Sequence, residues 1–145
     1  MKFFPAIVTL MFLYGCTGTK NRDAGQHEKN TGTATVAFQE EFHNFGSLVA
    51  GEVAVYSFAL NNTGTTALII QKAETDCGCV TIDYPDTAIK PGETGYLDVT
   101  FNSSGETGKI YKEIIVTTNA AGEKEVKLSI TAQVKNDMIN IYSKD

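Results

Sequence analysis

From Glu125 to Lys135 the chain alternates without a fault. Val126, Leu128, Ile130, Ala132 and Val134 are apolar, and Lys127, Ser129, Thr131, Gln133 and Lys135 between them are polar. Successive side chains of an extended chain point to opposite faces, so this pattern builds one oily face and one wet face. A slip of one residue would expose all five apolar side chains, which fixes the register. A helix would scatter the same residues around its axis. The segment is a strand with one face against a core.

The same period of two recurs upstream. Thr35–Phe42 reads as a first strand. Glu52–Asn61 follows, with Ala54, Tyr56, Phe58 and Leu60 on one face. Ala67–Ala73 and the short Cys79–Tyr84 come next. Gly95–Phe101 turns Leu97, Val99 and Phe101 inward, and Lys109–Thr118 carries Ile110, Ile114 and Val116 in phase, interrupted by Lys112. The breaks hold Asn61-Asn62-Thr63-Gly64, Pro91-Gly92, Asn102-Ser103-Ser104-Gly105 and Asn119-Ala120-Ala121-Gly122, residues that preset turns or tolerate positive φ. No segment shows a sustained period of 3.6 with caps. Seven short strands at this spacing predict an all-β fold, an immunoglobulin-like antiparallel β-sandwich. The chain has no Trp, and Cys77 and Cys79 are too close to bridge two sheets, so the antibody version of that fold is excluded.

The N-terminus follows different rules. Lys2 precedes an apolar run from Phe3 to Tyr14, a charged start and short apolar stretch that read as a secretory signal over residues 1–15. The run is too short to span a bilayer, which takes about 20 apolar residues. Leu13-Tyr14-Gly15-Cys16 resembles the bacterial lipobox, in which a small residue precedes the cysteine that is acylated and becomes the mature N-terminus. That resemblance implies lipidation at Cys16. Each buried methylene adds about 0.8 kcal/mol, so an anchor with more than one acyl chain is stable where a single chain is marginal.

Charge narrows the partners. The formal net charge is −5, from 12 basic and 17 acidic residues. Removing the signal removes Lys2 and no acid, leaving 11 basic and 17 acidic residues and a net charge of −6. No basic run occurs, which argues against nucleic acid and against adsorption to anionic lipid. The hold on the membrane is then the lipid on Cys16. Residues 16–33 hold no large apolar side chain and read as a flexible tether, His27 included. Residues 34–145 make one domain, long enough for a real core.

Several short signatures then fall in order: Phe45-Gly46, Tyr56-Ser57-Phe58-Ala59-Leu60-Asn61-Asn62-Thr63-Gly64, Leu68-Ile69-Ile70, Asp76-Cys77-Gly78-Cys79, Pro91-Gly92-Glu93, Gly108-Lys109 and Thr118-Asn119. Over about 40–135 the chain resembles the bacterial family called domain of unknown function 1573. The resemblance implies export, frequent lipidation and an immunoglobulin-like fold akin to major-sperm-protein and ciliary ASH-type domains. It implies no activity.

Cys77-Gly78-Cys79 is the one chemically unusual feature of the domain. Residues i and i+2 of a strand share a face, and Gly78 lets the backbone bend, so the two sulfurs can meet. Three readings stay open. The first is a local disulfide or reversible dithiol, in keeping with an exported domain. A ring closed over one residue constrains little of the unfolded chain and is expected to open easily. The second is a soft-metal site, for which Cu(I) suits two thiolates best; His43 or Met138 could supply a further ligand if folded close. The third is two small side chains packed as hydrophobes. Asp76 next to the pair opposes thiolate formation.

Other chemistry is thin. Glu40, Glu41 and His43 read as a solvated strand face rather than an acid–base site. No nucleophile elbow, P-loop, zinc-protease or dinucleotide motif occurs, and the acids do not cluster as calcium ligands. No small-molecule substrate is evident. Asp86-Thr87-Ala88 matches a short acceptor pattern for bacterial O-glycosylation, at Thr87. The sequence therefore predicts a non-enzymatic lipoprotein of the cell envelope, on the periplasmic side, that binds an envelope protein or polymer. A sandwich edge can accept a strand from such a partner. The alternative is a thiol-redox or Cu(I)-handling protein centred on Cys77 and Cys79.

Overall fold

The structure, a computed structural model, describes residues 32–136. The signal segment, Cys16, most of the tether with His27, and Met138 lie outside the described residues. Eight strands follow in chain order: β1 Val36–Phe38, β2 Phe42–Val49, β3 Val53–Asn62, β4 Ile70–Thr75, β5 Val80–Asp83, β6 Thr94–Asn102, β7 Gly108–Thr118 and β8 Glu125–Lys135. They form two four-stranded sheets, ordered β1-β3-β6-β5 and β2-β8-β7-β4. The sheets face each other across the predicted apolar faces. Phe58, Leu60, Leu97, Val99, Phe101, Ile114, Val116 and Leu128 have no solvent exposure at all.

β8 keeps the bounds that its alternation predicts, and its five apolar residues are all buried. β6 likewise buries Leu97, Val99 and Phe101 and exposes Tyr96. Two departures occur at the start of the domain. The expected first strand, Thr35–Phe42, breaks over Gln39, Glu40 and Glu41. Before the break lies β1, antiparallel to β3; after it β2 crosses to the other sheet. The second departure is that β2 pairs with β8 in parallel, the one parallel pair among the described residues of a sandwich expected to be antiparallel. With β2 counted, the described strands number eight rather than about seven.

β2 is hard to see in sequence for a physical reason. Its register against β8 shifts between Asn44 and Ser47, and Gly46 takes φ 74° there. Such a bulge puts His43 and Phe45 in one phase and Leu48 in the other, which breaks the period of two. The expected strand Ala67–Ala73 also starts late, at Ile70. Asn119 takes up the backbone before it: Ile69 N–H donates to Asn119 Oδ1 at 2.8 Å, and Asn119 Nδ2 donates to the Ala67 carbonyl at 3.0 Å. Leu68 makes only an isolated antiparallel bridge to Ile89.

Buried polar side chains hold the strand ends. Asn62 is 1% exposed, and its Nδ2 donates to the carbonyls of Thr66 (2.7 Å) and Ile89 (2.9 Å) while Oδ1 accepts Gly64 N–H (3.0 Å). Gly64 packs against the backbone of Thr33, Ala34 and Thr35, where any Cβ would collide. Ser103, fully buried just after β6, lies 2.9 Å from the carbonyls of Val49 and Glu52 and accepts Gly51 N–H at 3.1 Å, fixing the turn from β2 to β3.

Candidate functional site

The Cys77-Gly78-Cys79 segment lies on the crossover from β4, the edge of one sheet, to β5, the edge of the other. A disulfide joins Cys77 and Cys79, whose Cα atoms are 5.1 Å apart. Both residues are partly buried and Gly78 is exposed. Backbone bonds hold the segment in place: Asn102 N–H donates to the Cys79 carbonyl at 2.9 Å, and Val80 N–H donates to the Cys77 carbonyl at 3.2 Å. Cys79 N–H points at Cys77 Sγ from 3.1 Å.

Two charged residues complete this corner, and sequence reasoning misses both as its neighbours. Glu106, from the loop between β6 and β7, places Oε1 3.9 Å from Cys77 Sγ. Lys112 of β7 places Nζ 3.6 Å from the same Oε1. Both side chains are largely shielded, at 20% and 24% exposure for Lys112 and Glu106. Lys112 occupies an inward phase of β7, between the buried Ile110 and Ile114. Its break in the apolar pattern is the only sequence signal of the charged pair beside the cysteines. Asp76, the carboxylate weighed from sequence, is exposed.

One ligand atom each from Cys77, Cys79 and Glu106 lies within 4.8 Å of the others. The chemistry of this set fits a cation poorly, because the Lys112 ammonium already sits on the carboxylate. A hard carboxylate is also an unsuitable third ligand for Cu(I). His43 supplies nothing here: β8 and β7 separate its strand from β4. Met138 lies outside the described residues.

His43 is not on a solvated face. It is partly buried between the sheets, stacked on Tyr56 of β3 with ring centroids 3.5 Å apart, and meets Phe45 edge-on at 4.8 Å. Tyr56 Oη donates to Glu40 Oε2 at 2.7 Å. That hydrogen bond raises the Tyr56 phenol above its usual range, and burial acts the same way. Burial lowers the His43 imidazole below its ordinary value, against a smaller upward pull from Glu40. The folded state thus favours neutral His43. Stability from this group is full above pH 6.5, its ordinary value, and is lost as pH falls through the lower folded value. Between about pH 8 and pH 5, wild type is expected to lose more Tm than His43→Phe, which keeps the stacked ring without the titration. Equal losses in thermal melts would remove His43 as a source of acid sensitivity.

The edge of β3 is the other unusual feature. β1 pairs only with Leu60, Asn61 and Asn62, and the chain leaves the edge where Gln39 N–H donates to the Ala59 carbonyl at 3.0 Å. From Val53 to Phe58, β3 has a ladder partner among the described residues on the β6 side alone. Backbone groups two residues apart point the same way, so Val53, Val55 and Ser57 turn theirs to the open side with Ala59. Val53 and Val55 are 58% and 61% exposed. Thr87, the glycosylation candidate, is exposed in the connection from β5 to β6. A hollow of about 510 Å³ lies over the β2 bulge, but Lys109 is the one charged residue in its lining, which makes no acid–base pair.

The two four-stranded sheets make the domain an immunoglobulin-like β-sandwich. The chain belongs to the family described as protein of unknown function (DUF1573), which it matches over residues 36–134. No curated protein matches it. Among solved structures it is similar to a protein of unknown function from Porphyromonas gingivalis W83, at 19% identity and a TM-score of 0.63. That match covers 70% of this chain and 47% of the other, so this chain spans about half the length of that protein. It is also similar to the ASH/PapD-like domain 7 of human CEP192, at 13% identity and a TM-score of 0.60, covering 72% and 87% of the two chains. A third likeness is to the YadV chaperone, at 11% identity and a TM-score of 0.52, covering 70% and 52%. At these identities the likeness is one of fold.

Proposed function

We propose that this chain is an exported lipoprotein, held at the periplasmic face of the envelope through acylated Cys16. Its domain works as a non-catalytic interaction module that receives an extended segment of an envelope protein on the open half of β3. The observation that carries this reading is the edge from Val53 to Phe58, which has no strand partner on its outer side among the described residues and includes the exposed Val53 and Val55.

Proteins usually guard such edges, because unpaired N–H and C=O groups template another strand. The other edges here carry guards. β1 and β5 are short, with 3 and 4 residues. β2 is bulged at Gly46, and β4 presents the Lys72–Glu74 ion pair at 2.6 Å. The open half of β3 has no charge between Val53 and Phe58. Added strands gain main-chain hydrogen bonds for affinity and alternate side-chain contacts for specificity.

A photo-crosslinking side chain at Val55 of the full chain, expressed in its own envelope, tests the docking. One discrete adduct is expected from Val55 and none from Tyr111, which is as exposed on the other sheet. Val55→Pro removes an outward N–H at a place where an edge tolerates proline, and should cut adduct formation at a neighbouring crosslinker about tenfold. Equal adducts from both positions would contradict the docking. Cys16→Ser should move the protein from the membrane to the soluble fraction, and retention at the membrane would contradict the anchor.

A further inference from the structure

We propose that the corner formed by Cys77, Cys79, Glu106 and Lys112 is a thiol–disulfide exchange site whose partner is a dithiol reductant. It is separate from the strand-docking edge, since β6 lies between β5 and β3, and its test reads thiols rather than a protein partner.

The direction of exchange follows from the charges. Glu106 Oε1 stands 3.9 Å from Cys77 Sγ, so an incoming thiolate meets a carboxylate at that sulfur. Cys79 Sγ is the sulfur attacked. The reductant's thiolate bonds to Cys79 Sγ, the Cys77–Cys79 bond breaks, and Cys77 Sγ leaves with the electron pair, the penalty from the Glu106 carboxylate beside it being offset by the Lys112 ammonium on that carboxylate. The leaving sulfur accepts Cys79 N–H, 3.1 Å away in the disulfide form, and takes a proton from solvent. The Cys77 thiol then faces the Glu106 carboxylate as its acceptor. The reductant's second thiolate attacks its own sulfur in the mixed disulfide and releases Cys79, which is protonated in turn. Two electrons and two protons pass to the protein, and the reductant leaves as a disulfide.

Lys112 has a defined part. Its ammonium, 3.6 Å from Glu106 Oε1, offsets the carboxylate that would otherwise repel an anionic attacker. It is a positioning residue, acting through Glu106. A lysine in an inward phase of β7 has this electrostatic role to explain it.

The test uses the full chain in detergent with dithiothreitol as the dithiol, counting thiols by alkylation and intact mass. The pair should open completely and close again when oxidised dithiothreitol is added. With glutathione, the trapped mixed disulfide should map to Cys79. Lys112→Met should slow opening about tenfold at low salt, and added salt should narrow the gap. Adding Glu106→Gln to that variant should restore the wild-type rate, which a merely structural defect would not allow. Resistance to dithiothreitol, glutathione on Cys77, or rates indifferent to both substitutions would overturn the proposal. Cu(I) held by the reduced protein and weakened by Glu106→Gln, with exchange rates unchanged by Lys112→Met, would overturn it in favour of a metal site.

Discussion

Phe101→Ala is expected to lower the unfolding free energy by about 3–5 kcal/mol, the cost of deleting a large aromatic side chain from a core that relaxes only in part. Phe101 has no solvent exposure. It lies between Ala54 of β3 and Val80 of β5 in the ladder and stacks on Phe45 of β2, at 6.2 Å between centroids, across the gap between the sheets. It therefore ties three strands of one sheet to the edge of the other. A single domain is typically stable by about 5–15 kcal/mol, so this loss is a large share of the total. Urea unfolding should show a lower midpoint with an unchanged slope. Tyr111→Ala, on an exposed position of β7, should change stability by no more than about 0.5 kcal/mol. A Phe101 loss near that of Tyr111 would mean that the sheets do not meet through this residue.

Asn62→Leu is expected to cost about 2–6 kcal/mol, although it replaces a polar core residue with an apolar one of similar size. Each buried polar group left without a partner costs about 1–3 kcal/mol. The substitution strands two, the Thr66 carbonyl and Gly64 N–H, and because both are part-buried and water reaches them in part, the loss lies toward the low end of that range. The Ile89 carbonyl keeps Leu68 N–H at 2.9 Å. Asn62→Asp should be at least as harmful at neutral pH, since a carboxylate would face two carbonyls where Nδ2 now donates. Its defect should ease on acidification, because a protonated carboxyl can donate one of those bonds. Urea midpoints of both variants at neutral and acid pH check this. A neutral Asn62→Leu would show that the hydrogen bonds contribute nothing net.

These two residues also show how much can be read from sequence. Phe101 is legible because β6 alternates cleanly, and one-face burial leaves a strict period of two. β8 is legible for the same reason. β2 is not, because the bulge at Gly46 changes the phase between Phe45 and Leu48, and nothing in an alternation reveals that a strand pairs in parallel. Asn62 is visible only as a turn residue, since its bonds reach Thr66 and Ile89 through the fold. Cys77 and Cys79 stand out by spacing. Their charged neighbours come from a distant loop and strand, Glu106 lying 29 residues from Cys77. His43 reads as solvated in the sequence because its stacking partner, Tyr56, belongs to the opposite sheet.

The open half of β3 is the centre of this account, and amide hydrogen exchange tests it most directly. The full chain is compared in detergent and in native envelope vesicles, following the outward amides of Val55 and Ser57. In detergent these should exchange quickly while those of Val99 and Phe101 stay protected, because β6 has neighbours on both sides. In vesicles Val55 and Ser57 should become protected. Protection already present in detergent, or fast exchange in both settings, would contradict the docking of a partner strand on this edge.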